Sequence, residues 1–536
     1  MRMTLEGLCD REGWKRAGVA LPSYDIESVR ARTVKNPAWV HFGAGNIFRM
    51  FIGGIADSLL EQNLCKTGII CAETFSFDII DEIYKPYDNL VLAVTLRPDG
   101  SSDRRIIASL SEAVRSSPSN AAEWERMKQI FASPSLQMAS FTITEKGYAL
   151  TNADGGFLPY IQGDMEKGPC GATSAMGQVT ALLFHRFVSG ASPVALVSMD
   201  NCSRNGKKLR DSVMTMAEKW LLKGFVGRDF IEYISDEKRV SFPWSMIDKI
   251  TPRPSEEIGR ELESSGIENM RPFVTEKKTF IAPFVNAEGP QYLVIEDNFP
   301  NGRPPLEKAG VYMTDRDTVN SVERMKVTTC LNPLHTALAV YGCLLGYKLI
   351  ADEMKDAELS ELVRRIGLSE GMPVVTNPGI LSPEQFVDEV INTRLPNPFV
   401  PDTPQRISCD TSQKVGIRFG ETIKSYVEKY GDASKLEAIP LAIAGWCRYL
   451  LAVDDDGNSF ELSPDPMADE LRASLAGIVW NKPESCGDQL RKILANDKIF
   501  GIDLYEAGIA AKVESMFREE LLGAGAVRAT LKKHLA

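Results

Sequence analysis

Histidine is scarce in this chain: four in 536 residues, at His41, His185, His335 and His534. No two stand at the spacing of an HExxH helix, and the ten cysteines are scattered singly with no CxxC. Zinc sites of those kinds are excluded, and no metal is expected. Several cysteines lie inside apolar runs, such as Cys71 within Gly68–Ala72. That placement predicts buried, reduced thiols. No apolar run approaches the roughly 20 residues of a membrane helix. Residues 1–14 carry mixed charge and no apolar core of the signal-peptide kind, so a cytoplasmic protein is expected. Basic residues are outnumbered, 61 Lys and Arg against 72 Asp and Glu, for a net charge of −11. Such a chain has no electrostatic footprint for nucleic acid, although a local basic pocket for a small anion is compatible with it. Repeats and low-complexity tracts are also absent.

What is present reads as an ordinary globular composition, 44% hydrophobic and 25% charged, large enough to fold without disulfides or metals. At roughly 150 residues per domain the length allows two to four domains. Residues 1–35 are polar and mixed, and are expected to form a peripheral extension. The run Ala38–Phe42 predicts a strand, Gly43-Ala44-Gly45-Asn46 a turn, and Ile47, Phe51, Ile55 and Leu59 a helix of period four. Short apolar runs at 68–72, 90–94, 138–143 and 193–199 predict further strands, with helices at 121–131, 175–188 and 208–224. Residues 151–175 read as a Gly- and Pro-punctuated loop. Beyond about residue 300 the periodicity is helical. The expected fold is therefore a Rossmann-type α/β domain over 36–295, followed by a mainly helical domain over 296–536.

The turn holds the first two glycines of a dinucleotide fingerprint. Gly43 permits the tight turn and Gly45 the close approach of a pyrophosphate at the following helix N-terminus. The third position is Phe48, so the motif is incomplete. Glu73 ends the second strand, where a carboxylate can accept from the adenosine ribose hydroxyls and repel a 2′-phosphate. It predicts NAD rather than NADP.

A second cluster runs from Glu323 through Lys326 and Asn332-Pro333 to His335. Asn is a good N-cap and Pro is accepted in the first helical turn, so a helix is expected to begin at 332–333 with a break or π-bulge behind it. In one unbroken helix Lys326 and His335 would face opposite sides, at about 100° per residue. A bulge can bring them to one side. Lys, Asn and His make a metal-free alcohol–ketone site: a lysine with lowered pKa takes the hydroxyl proton, and Asn and His hold the oxyanion.

Seven segments in order resemble the polyol-specific long-chain dehydrogenase/reductase family, which includes mannitol 2-dehydrogenases, fructuronate reductases and tagaturonate reductases. They are His41–Arg49, Thr142–Tyr148, Ser198–Asn201 with Asn205-Gly206, Asp248–Arg253, Ile295–Asp297, Lys326–His335 and Arg394–Arg418. The resemblance implies zinc-independent hydride transfer with NAD(H) and an active site between the two domains. It makes Lys326 the general acid/base and Asn332 and His335 the substrate- and oxyanion-binding pair. Glu323 is a carboxylate aiding proton exchange with solvent. Asn201, Asp248, Arg406 and Lys414 become substrate contacts, and Gly43, Gly45, Asn46, Ile47, Glu73, Thr144, Glu145, Lys146 and Asn201 cofactor contacts. Two departures stand out. Lys326 and Asn332 are six residues apart where the family has five, and Asn332-Pro333 replaces Asn-Gly.

Three readings follow from the resemblance. The favoured one is a sugar-acid oxidoreductase, D-fructuronate with NADH to D-mannonate, with Arg406 suited to a bidentate carboxylate contact and Lys414 adding charge. The second is the same chemistry on a neutral polyol or on tagaturonate. The third is a nucleotide-binding protein without catalysis. A small-molecule substrate is expected in the first two, no nucleic-acid or membrane partner in any, and a monomer or homodimer.

Overall fold

A computed structural model describes residues 1–152 and 154–536. The chain forms two compact units, Met1–Asn320 and Ser321–Ala536. No helix among the described residues is long and apolar enough to cross a membrane.

The first unit is built on six parallel strands: β1 (Trp39–Phe42), β2 (Ile69–Glu73), β3 (Leu110–Arg115), β4 (Met138–Phe141), β5 (Val194–Ser198) and β6 (Val240–Ser241). Their spatial order is β3-β2-β1-β4-β5-β6, all pairs parallel. The order reverses between β1 and β4, which opens a crevice at the carboxyl ends of those strands. The strands read as continuous apolar runs because both faces are covered. Val40 and Phe42 pack with Trp124, Phe131 and Trp220 on one face. Trp39 packs with Phe48, Ile52 and Ile80 on the other.

Three expectations change here. The run at 90–94 is not the third strand of this sheet. It lies in Val91–Leu96, which joins Val19–Ala20, Ser102–Ile107 and Phe284–Glu288 in a second sheet. The third strand is Leu110–Arg115, an edge strand in which Ser111 and Glu112 interrupt the apolar residues and leave a weak signal. Residues 151–175 contain a helix, Pro159–Lys167, begun by its proline and ended at Gly168 with φ of +71°; Ala153, in the same stretch, lies outside the described residues. Finally, residues 1–35 are not peripheral. Met3, Leu8, Trp14, Ala17 and Val19 share a core with Leu92, Ile106 and Phe284, and the Trp14 indole donates to the Gly7 carbonyl at 2.9 Å. Mixed charge hid this segment, because only one face of it is apolar.

The second unit is mainly helical. Asn332–Leu344 and Ala438–Tyr449 are apolar nearly all round and pack together at its centre. A Cβ on Gly445 would stand 2.5 Å from the Tyr341 ring, so glycine sets that close approach. Tyr341 donates to the Leu441 carbonyl and lies 2.8 Å from a Glu520 carboxylate oxygen.

Trp14 is fully buried. Trp14→Ala is expected to cost the first unit about 3–5 kcal/mol, read from the urea midpoint of that unit's unfolding. An unchanged midpoint would mean that the N-terminal segment does not contribute to its core.

Candidate active site

In the first unit the glycine turn follows β1. Gly43 has φ of +109°, and a Cβ there would stand 2.3 Å from the Thr142 carbonyl, so only glycine fits. Gly45 is exposed, and a Cβ on it would meet nothing within 4 Å. Helix begins at once and runs over 46–61, through a π-turn at Phe48–Ile52. An open glycine at a helix N-terminus, beside the point where strand order reverses, is the cradle a dinucleotide pyrophosphate needs. Asn46 and Ile47 form the first turn of that helix, with the Asn46 side chain 3.3 Å from Arg49. His41 lies beneath the turn, buried between Ser140 and Thr142 at 2.6 and 2.8 Å. Burial pushes its pKa down to about 3, so it is a neutral sheet residue and not an acid–base group.

Glu73 ends β2 as expected, but its carboxylate is committed to the fold. One oxygen accepts from the backbone N–H groups of Thr74, Phe75 and Ser76 at 2.8–3.1 Å, and the other from Ala44 at 2.9 Å. A carboxylate has about four acceptor positions. The carboxylate thus clamps the β2 loop to the glycine turn. The donors are backbone groups 29 residues away and in its own turn, which no sequence pattern displays.

On the other side of the reversal point, β4 leads into Thr144–Tyr148. Thr144, Glu145 and Lys146 lie at its start, with Glu145 and Lys146 exposed. Glu145 pairs with Lys208. Thr144 has φ of +64°, an outlier for a β-branched residue that costs on the order of 1–3 kcal/mol. Asp200 holds it: its carboxylate accepts from the Ile143 and Thr144 N–H groups at 2.9 Å each and from the Tyr148 hydroxyl at 2.6 Å. Burial raises the Asp200 pKa against those three bonds. Sequence reading selected Asn201 and missed Asp200 beside it, although Asp-Asn at a strand end was the available signal. Asn201 lies just past the end of β5. Asp248 ends the strand Ser245–Asp248. The buried Asn205 joins these segments, donating to the Asp200 and Ser245 carbonyls at 3.0 and 2.9 Å.

In the second unit Lys326 is buried at the start of a π-turn, Lys326–Cys330, closed by the Leu331 N–H on the Lys326 carbonyl at 3.1 Å. Leu331 leaves helical geometry, with φ −129° and ψ −60°, and the next helix begins at Asn332-Pro333. Both the break and the π-bulge expected from sequence are there. The widened turn and the break at Leu331 both change the rotation between Lys326 and His335 from the roughly 180° of an unbroken helix. The six-residue step from Lys326 to Asn332 spans this turn. Glu323 is half-buried one turn before Lys326.

Asn332 and His335 are half-buried in the first turn of their helix. The His335 Nε2 lies 3.2 Å from a carboxylate oxygen of Asp402, in ion-pair range but out of line for a hydrogen bond. The other Asp402 oxygen accepts from both Nε and a terminal nitrogen of Arg406 at 2.7 and 2.5 Å. Asp402 is itself buried, whereas Arg406 is largely exposed. Sequence reading found His335 and Arg406 but not the carboxylate between them. Only its pairing with Arg406 had a local signal, since Asp402 stands four residues before it, ahead of the short helix Pro404–Ile407; its approach to His335 had none. Lys414 donates to the Cys409 carbonyl at 2.6 Å. Arg418, four residues on, donates to the Thr336 hydroxyl.

Residues 37–308 match the mannitol dehydrogenase Rossmann domain and residues 318–519 the mannitol dehydrogenase C-terminal domain. The chain belongs to the mannitol dehydrogenase family. It is 54% identical over 536 residues to a D-mannonate oxidoreductase of Thermotoga maritima, covering 99% of each chain. A mannitol 2-dehydrogenase of Pyrenophora tritici-repentis is 30% identical over 470 residues, 85% of this chain and 76% of that one. Among solved structures, a substrate-free D-sorbitol dehydrogenase is 27% identical with a TM-score of 0.78, covering 96% of this chain and 98% of that one. The Pseudomonas fluorescens mannitol 2-dehydrogenase, in a ternary complex with NAD and D-mannitol, is 25% identical with a TM-score of 0.71, covering 99% of both. The Rossmann-type and helical architecture read from the sequence is that of this family.

Burial pushes the Asp402 carboxyl up, but His335 and the Arg406 charge outweigh it and hold it below the ordinary value. A depressed folded pKa gives stability that is present above the unfolded value, about 4, and lost as pH falls through the folded one. Asp402→Asn is therefore expected to lower Tm by about 2–4 °C near neutral pH. The difference from wild type should shrink below about pH 4. A difference that does not vary with pH would remove this linkage.

Proposed function

We propose that this chain is an NAD(H)-dependent oxidoreductase interconverting D-fructuronate and D-mannonate. The observation that carries the reading is Lys326, Asn332 and His335 ordered by one π-turn and helix start in a mannitol dehydrogenase-family chain. The 54% identity to a D-mannonate oxidoreductase supports the sugar-acid substrate over a neutral polyol.

Gly43, Gly45, Asn46 and Ile47 would hold the dinucleotide phosphates, with Thr144, Glu145, Lys146 and Asn201 on the other side of the strand reversal. Glu73 contributes by fixing the glycine turn through Ala44. Bound NADH supplies the hydride for the carbonyl carbon. Lys326 gives its Nζ proton to the carbonyl oxygen during reduction and takes it back from the hydroxyl during oxidation. Asn332 and His335 hydrogen-bond that oxygen as its charge develops. Asp402 lies against the imidazole at 3.2 Å and fixes its orientation. Glu323 passes the Lys326 proton to and from solvent. Asn201 and Asp248 meet the substrate hydroxyls, Lys414 adds positive charge for the carboxylate, and Arg406 braces Asp402 against His335. The substrate is a small sugar acid.

Lys326→Ala is expected to lower kcat by about 10³-fold or more, within the range of general acid–base catalysis, while NADH still binds by fluorescence. Wild-type turnover in this variant would sink the mechanism. Substrate identity is tested by NADH oxidation at 340 nm with D-fructuronate, D-tagaturonate and D-fructose, each repeated with NADPH. The expected outcome is fastest turnover of D-fructuronate with NADH. Turnover of fructose alone would move the protein to the mannitol type, and preference for NADPH would overturn the cofactor assignment.

A further inference from the structure

Arg406 was the residue best suited by sequence to a substrate carboxylate, but its guanidinium side is occupied. Nε and a terminal nitrogen both point at Asp402, and that charge is compensated. A bidentate carboxylate contact needs two parallel N–H groups, and Asp402 already takes the pair that Arg406 offers from its side.

A different cation stands close by without a counterion. Arg418 has one hydrogen-bond partner among the described residues, the Thr336 hydroxyl, and no carboxylate of those residues within ion-pair distance. Thr336 follows His335 directly and donates to the Asn332 carbonyl at 2.9 Å, so Arg418 reaches the helical turn that presents Asn332 and His335. Lys414 lies one turn before Arg418, joined by the Arg418 N–H on the Lys414 carbonyl at 2.9 Å, and side chains four apart share a helix face. Its ammonium donates to a neutral carbonyl. The acids nearest to Lys414 are Asp410 and Asp465. Neither forms an ion pair with it, and the Asp465 carboxylate is filled by Ser412 and the Met467 N–H. Burial pulls the Arg418 guanidinium down to about 10. Burial and then the Arg418 charge pull Lys414 below the usual amine value. Two like charges one helical turn apart, partly desolvated and unpaired, are destabilising until an anion joins them.

We infer that Arg418, with Lys414, is the pair that recognises the substrate carboxylate, and that Arg406 is a positioning residue acting on His335 through Asp402. This deepens the sugar-acid reading and rests on it.

The test compares D-fructuronate with its methyl ester, which keeps every hydroxyl and removes the negative charge. In the wild type, kcat/KM is expected to favour the acid by about 30-fold, the scale of a charge-assisted bidentate contact. In Arg418→Gln that preference should fall to about threefold or less, with the loss in KM for the acid. Arg418→Lys should recover part of it. Lys414→Gln, as an independent variant, should reduce the preference about fivefold. Arg406→Gln should lower kcat for acid and ester alike and leave their ratio within about twofold. The inference is overturned if Arg418→Gln keeps the full preference, or if Arg406→Gln abolishes it. A wild type that reduces neither D-fructuronate nor its ester, yet reduces fructose, would instead overturn the substrate reading itself.

Discussion

A regular α-helix cannot carry Lys326 and His335 to the same side, because nine residues at about 100° each place them opposite one another. The π-turn at Lys326–Cys330 and the non-helical Leu331 change that rotation, and the rest of the second unit is arranged to keep them. Thr422 donates to the Thr328 carbonyl at 3.1 Å and ties the helix Glu421–Tyr430 to the widened turn. Gly371 leaves room for it, since a Cβ there would stand 2.6 Å from Thr329. Pro333, unable to donate, sits in the first helical turn where no donor is needed. A turn that would relax to α-helix in isolation is held wide by neighbours on several sides.

Charge placement follows from the same arrangement. Asp402 lies against the first turn of the Asn332 helix and holds two basic side chains at once, the His335 ring on one oxygen and the Arg406 guanidinium on the other. Lys414 and Arg418, by contrast, bond to neutral oxygens. A chain with a net charge of −11 thus keeps a local positive field where an anionic substrate would be read. Net charge describes the solvated surface and says little about a recess lined by a few side chains.

Much of this was legible in the sequence. The strand–glycine–helix opening follows from a change of period within one short stretch. The helix start at Asn332 follows from capping chemistry, and the need for a bulge follows from rotation alone. These are local signals. What stayed hidden is long-range. Asp402 is 67 residues from His335, and Ala44 is 29 from Glu73. Nothing in either segment states which donors will be brought to it. The N-terminal segment was hidden for another reason: Trp14 and Leu8 are apolar islands in polar sequence, and their burial depends on a sheet contributed by residues 90–107 and 284. Edge strand Leu110–Arg115 lacks the continuous apolar run of the central strands because its residues are only partly covered.

Two carboxylates in the first unit illustrate how a binding loop is made ready. Glu73 and Asp200 follow or end strands on either side of the reversal between β1 and β4. Each is committed to backbone N–H groups of the loops there: Ala44 and residues 74–76 for Glu73, Ile143 and Thr144 for Asp200. Hydrogen bonds to a charged acceptor are worth about 1.5–3 kcal/mol each when formed in a protein. That is comparable to the strain of Thr144 at φ of +64°. The loops are therefore ordered by the protein's own acids before any dinucleotide arrives. Binding then need not supply the entropy of ordering them, which is how a rigid scaffold converts contacts into affinity. An acid at a strand end can serve a cofactor without touching it.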